Sequence, residues 1–219
     1  GAQLDIDSLR KNIHNIIDPQ LVINNLLALP NPKASNTNFT EQDKIFQLAF
    51  DIATYTMQDS LKLKVCKQYF SLPFSVVKKN KNVTIGQAYF SMAKQERNEG
   101  NLSLAYSALA RCNISSLERQ EHVKQAIYYA NLSKDKEAKC QANLLSAEAE
   151  NNNNNKLQAY RHYLDGLQTA QINGMNDYVL IFYSELIQFF GAINVFDKAE
   201  FYAKKMADYY NTMLPQDSM

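Results

Sequence analysis

The chain has 219 residues, enough for one large domain or two small ones, and at 46% hydrophobic and 21% charged it can bury a substantial core. A formal net charge of +1 supplies no field to gather nucleic acid or an acidic membrane, and no run of about 18 apolar residues could span a bilayer. Six glycines and five prolines are too few for a sandwich or barrel, so short connections between helices are expected.

In chain order, residues 4–17 carry a helical apolar stripe of Leu4, Ile6, Leu9, Ile13, Ile16 and Ile17. Asp18-Pro19 restarts a helix, with Asp18 as cap and Pro19 in the first turn, which runs to Leu29 and stops at Pro30-Asn31-Pro32. The polar, proline-rich stretch that follows marks the best boundary. It separates an N-terminal helical hairpin, 1–32, from a larger body, 40–219, with which it forms one continuous domain.

Thr40-Glu41-Gln42-Asp43 opens the next helix as a capping box, and Asp59 or Ser60 caps another that ends near Leu72-Pro73. Lys78, Lys79 and Lys81 read as a solvated loop. From Val83 the helices follow closely, over 83–98, 101–112, 115–131, 134–150, 156–172, 177–192 and 195–212. Such short connections require antiparallel neighbours.

A small residue recurs twelve positions apart across successive turns, in the pairs Ala93/Ala105, Ala126/Ala138, Ala147/Ala159 and Ile187/Ala199. Helices approach closely only where the crossing point is small, so each pair marks a stacked hairpin. Turn residues Gly100, Ser133, Asn154 and Asn194 lie between the members. The phase is inconsistent, because the helix over 134–150 would close one pair and open the next. Asparagine is over-used, with 23 residues including the run Asn151 to Asn155, which reads as a turn.

The segment Gln87-Ala88-Tyr89-Phe90-Ser91-Met92-Ala93, with Asn98-Glu99-Gly100-Asn101 and Ala105-Tyr106, resembles a tetratricopeptide repeat. Phe189 through Tyr202 is a second match and Asn143 to Leu164 a third, so the resemblance covers about 83–212. It departs from the family in lacking the proline that closes a repeat. It implies an all-α fold, an α-α superhelix of antiparallel helical hairpins. By carry-over from the family, the groove is lined by Gln87, Phe90, Lys94 and Arg97, by Gln141 and Glu148, and by Ser184 and Gln188. This mixed polar lining suits a peptide or protein segment.

No catalytic motif, metal-ligand spacing or phosphate loop is present, and no cofactor is called for. Cys66, Cys112 and Cys140 read as buried free thiols, and His162 with Asp165 as a surface pair three residues apart. Tyr128, Tyr129, Tyr160, Tyr163, Tyr178, Tyr183, Tyr202, Tyr209 and Tyr210 are expected to pack between hairpins more than to bind.

The expectation is therefore a non-catalytic protein- or peptide-binding domain. Its opening, Gly-Ala-Gln-Leu-Asp, suits the extracytoplasmic sensor or interaction portion of a bacterial signalling protein. A cytosolic scaffold or peptide-responsive regulator is the alternative. The apolar C-terminal helix, from Val195 to Met213, is expected to self-associate into a homodimer.

Overall fold

A computed structural model describes residues 6–29, 39–71, 82–112 and 115–213. The loop at Pro30-Asn31-Pro32, the lysines at 78, 79 and 81, and Pro215 lie outside the described residues, as do the side chains of Thr40 and Glu41. The fold is all-α: among the described residues every regular element is helical. The helices are α1 (Ile6–Lys11), α2 (Pro19–Ala28), α3 (Phe39–Tyr55), α4 (Asp59–Ser71), α5 (Val83–Glu96) and α6 (Glu99–Arg111). They continue as α7 (Ser116–Leu132), α8 (Lys136–Asn152), α9 (Lys156–Ile172), α10 (Asn176–Ala192) and α11 (Phe196–Met213).

Two compact units emerge. The first takes residues 1–98 with 111–115, the second 99–110 with 116–219. Within each, consecutive helices pack on one another, the arrangement of an α-α superhelix.

In the first unit α2, α3, α4 and α5 pack in succession. Residues 4–17 do not form the single helix their stripe predicts: α1 ends at Lys11 and a 3-10 turn, Ile13–Asn15, follows. No side chain of α1 or of that turn is fully buried, so packing supplies little to continue the helix. Asp18 caps α2 as its sequence indicates, its carboxylate accepting the Leu21 N–H at 2.9 Å.

The core of this unit holds Ile23, Leu26, Phe46, Leu48, Ile52, Val65, Phe70, Ile85 and Tyr89. Phe46, Tyr69, Phe70 and Tyr89 form a chain of ring contacts through it. Arg111 is buried here because its guanidinium donates to the Phe70 carbonyl at 2.8 Å, an end-of-helix acceptor that α4 cannot satisfy itself. Asn82, one of five N-x-S/T positions, caps α5 from within the fold: it accepts from the Ile85 N–H and donates to Gln47.

The second unit is more regular. Its helices α7 to α11 begin at Ser116, Lys136, Lys156, Asn176 and Phe196, a spacing of twenty residues each time and so forty per hairpin. Three connections are the same turn. Asn154, Gly174 and Asn194 take the left-handed conformation, at φ 63°, 64° and 60°. The next residue's N–H then reaches back five positions, Asn155 to Glu150, Met175 to Ala170 and Val195 to Phe190, at 2.8–2.9 Å. This is the Schellman closure, which satisfies the last carbonyls of one helix before the next begins. Glycine and asparagine tolerate that conformation best, which is why they occupy the three sites.

One of the sequence turns is corrected. Gly100 is not a turn residue but the second residue of α6; the left-handed residue before that helix is Arg97, at φ 53°. Gly100 is glycine because a Cβ there would stand 2.7 Å from the Cβ of Asp135, the N-cap of α8. Ser133 does lie in the connection between α7 and α8, where its hydroxyl accepts from the Asp135 N–H.

Ala126 with Ala138 and Ala147 with Ala159 are fully buried on helices that pack on each other, α7 on α8 and α8 on α9, and Ala93 and Ala105 are fully buried in their own units. Ile187 and Ala199 are only half-buried, next to the last helix. The phase conflict disappears once the single helix is the repeating unit. A helix inside the array must pack on both neighbours, so α8 carries Ala138 toward its start and Ala147 toward its end.

Candidate functional site

Helices α8 and α10, alternate members of the array, are joined directly by polar side chains. Glu137 and Gln141 stand one turn apart on α8, and Tyr178 stands near the start of α10. The Tyr178 hydroxyl donates to Glu137 Oε1 at 3.0 Å. Gln141 Nε2 lies 3.0 Å from the Tyr178 hydroxyl and 3.3 Å from Glu137 Oε1. Gln141 is 2% exposed, and its Oε1 is a buried acceptor with no hydrogen-bond partner. Gln141 is thus a strut between the helices, held by its amide nitrogen, with Glu137 at the accessible margin.

Farther along the same pair of helices, Glu148 on α8 and Glu185 on α10 both lie near the buried Tyr163 phenol. Burial and these two carboxylates push its pKa up. Glu148 pairs with Arg119 of α7 at 2.9 Å, an ion pair that ties α8 back to its predecessor. Ser184 is half-buried and accepts from the exposed Gln188 amide at 3.3 Å. Glu137, Glu148 and Glu185 thus set three carboxylates along α8 and α10, of which Glu148 is already paired with Arg119.

The candidates on the first unit are arranged differently. Gln87 and Lys94 are exposed on α5, and Phe90 between them is half-buried, one stripe at helical spacing. Arg97 leaves that stripe, since it forms the left-handed C-cap of α5 and projects from the turn.

Tyr160 and Tyr202, singled out in the sequence as packing residues, find partners that the sequence does not name. The Tyr160 and Tyr202 hydroxyls hydrogen-bond at 2.8 Å between α9 and α11, and the Tyr202 ring stacks on Phe190. Lys198 Nζ lies 5.9 Å from the centroids of both Tyr160 and Phe190. Tyr163, Tyr183 and Tyr202 are buried, as packing predicts, whereas Tyr128 and Tyr210 are more than half exposed. The His122 ring packs tilted against Tyr106, 5.8 Å between centroids, and burial pushes its pKa down despite Glu118 and Glu121 nearby. Spacing alone cannot find such groups, because each partner lies on a different helix.

The expected His162–Asp165 pair gives way to a longer-range one: His162 Nδ1 lies 3.3 Å from Asn143 Oδ1 on α8. The three thiols are buried, as read from sequence. Burial pushes Cys66 up to about 12, and burial with Glu137 and Asp135 does the same for Cys140. Burial raises Cys112 to about 11. No group of three or more His, Cys, Asp or Glu among the described residues could hold a metal ion. No described helix is long and apolar enough to cross a membrane. Comparison with protein-family models, curated proteins and solved structures found no match for this chain.

Proposed function

We propose that this chain is a non-catalytic module that binds a protein or peptide segment. In this reading it is a tetratricopeptide-like helical-hairpin domain serving as the sensor or interaction portion of a bacterial signalling protein. The observation that carries the reading is the pair of carboxylates along α8 and α10, Glu137 beside Tyr178 and Glu185 beside Tyr163, which come from alternate helices of one array. Alternate helices of a hairpin stack form a continuous ribbon on which an extended segment can lie. Carboxylates there favour a segment rich in N–H donors, above all lysine and arginine.

The family likeness rests on the buried small residues at helix crossings. The hairpin period of forty residues is longer than the ~34 of a tetratricopeptide unit, so the likeness is to the plan of stacked hairpins and not to the length of the repeat. A nucleophilic role for the cysteines finds no support, since thiols held protonated near neutral pH are poor nucleophiles. The partners of this reading are a protein or peptide and, through α11, a second copy.

The test is calorimetric titration with basic peptides selected from a random library, set against acidic peptides of equal length. Basic peptides should bind, and Glu137→Gln with Glu185→Gln should weaken them about tenfold. Equal binding of both peptide classes, or indifference to the double variant, would remove this surface from the account. Fractionation of cells expressing the tagged full-length protein tests the placement. Recovery outside the cytoplasm fits the sensor, and recovery in the cytosol would replace it with a scaffold.

A further inference from the structure

Asn153 and Asn173 hold the same place in two successive turns, twenty residues apart. Each is the exposed residue that ends its helix, Asn153 after α8 at φ −82° and ψ 8°, Asn173 after α9 at φ −100° and ψ 8°. What differs is the next residue, which is left-handed in both turns: Asn154 in the first and Gly174 in the second. Of the 23 asparagines in the chain, Asn173 alone precedes a glycine. Gly174 is exposed, and a Cβ built on it would meet nothing within 4 Å, so the turn is open to water on that side.

We propose that Asn173 is a site of spontaneous modification, deamidation by its own backbone, which the closed turn suppresses and its opening releases. The Gly174 nitrogen attacks Asn173 Cγ, the new N–C bond closes a five-membered succinimide, and Nδ2 leaves as ammonia with the Gly174 amide proton. Water then opens one of the two imide carbonyls, leaving aspartate or isoaspartate. Glycine suits the attack because no Cβ shields its nitrogen or restrains the backbone. The folded turn opposes it in two ways. At ψ 8° the Gly174 nitrogen eclipses the Asn173 nitrogen and stands away from the Cβ–Cγ arm that it must meet. Both reacting groups are also tied: the Gly174 N–H donates to the Gln171 carbonyl at 3.2 Å, and Asn173 Nδ2 to the Thr169 carbonyl at 2.7 Å. The reaction therefore waits on local opening of the connection between α9 and α10. Isoaspartate there adds one carbon to the main chain inside the turn, which displaces the Met175 N–H from the Ala170 carbonyl that it reaches at 2.9 Å.

The full chain, folded in mildly alkaline buffer or unfolded by guanidinium chloride in the same buffer, is sampled over time. Peptide mass spectrometry reads Asn153 and Asn173, with isoaspartate resolved from aspartate. Asn173 should convert about tenfold or more faster in the unfolded chain than in the folded one. In the unfolded chain Asn153 should lag Asn173 by about the same factor, because asparagine follows it in place of glycine. Gly174→Asn introduces a residue that the equivalent turn already holds left-handed at Asn154, so the variant keeps the fold. It should slow Asn173 in the unfolded chain about tenfold. Equal rates in the folded and unfolded chain would overturn the gating by the turn. Asn153 keeping pace with Asn173, or a Gly174→Asn chain that reacts as fast as the parent, would overturn the site itself.

Discussion

Glycine inside a helix costs about 1 kcal/mol relative to alanine, so Gly166 in the middle of α9 needs a reason. The Phe182 ring of α10 lies against it, and a Cβ there would stand 2.0 Å from the ring's Cζ. Phe182 is itself fully buried and has little room to withdraw. Gly166→Ala should destabilise the protein by about 1–3 kcal/mol in a urea titration, despite the better helix propensity. The thiols give a second expectation at this scale. Each folded thiol is held above the ordinary value of 9.0 by burial, so the unfolded chain releases its proton first as pH rises. Their contribution is intact below pH 9.0 and is lost progressively toward the folded values of about 11 to 12. Each thiol should then cost about 1.4 kcal/mol by roughly pH 10, seen as a falling Tm that Cys66→Ala makes less steep. Neither Gly166 nor its partner was legible in the sequence, because the ring that excludes a side chain comes from the next helix. The buried thiols were legible, since odd count and wide spacing already excluded pairing.

At the scale of the element, helix existence was readable and helix ends were less so. The stretch over 156–172 matches α9 to the residue, because Asn154 and Asn155 mark its start and Asn173-Gly174 its end. The short α1 was not readable, since an apolar stripe shows a face suited to burial and not that anything buries it. The twenty-residue period was also hidden, because the family pattern points to a shorter one and Gly100 imitates its turn. The left-handed turns give a direct check. Asn194→Gly should leave stability nearly unchanged, while Asn194→Val should cost about 1–2 kcal/mol, measured by thermal unfolding. Gly174→Ala should cost a similar ~1 kcal/mol although its Cβ meets nothing within 4 Å, because the penalty is conformational rather than steric.

At the scale of the whole molecule, stability in a hairpin array is a sum of helices and nearest-neighbour contacts, so it need not be uniform. In the second unit α8 has eight buried residues and packs on both neighbours, whereas α11 has one and packs chiefly on α10. Hydrogen exchange should find the amides of α8 the slowest in that unit and those of α11 the fastest, with α11 slowing as protein concentration rises if copies pair through it. The carboxylate-bearing surface belongs to this scale too, since Glu137 meets Tyr178, and Glu148 and Glu185 both lie near Tyr163, only because helices distant in sequence adjoin. Of the groove positions read from the repeat pattern, Ser184 and Gln188 remain available at a surface, while Gln141 and Glu148 are committed to neighbouring helices.

The most direct measurement is amide chemical-shift mapping of the isotopically labelled chain during titration with a basic peptide selected by binding. The account predicts shifts concentrated at Glu137, Tyr178, Ser184, Glu185 and Gln188 of α8 and α10. Shifts concentrated elsewhere, or no shift at any peptide concentration, would contradict the claim that this chain is built to hold a protein segment.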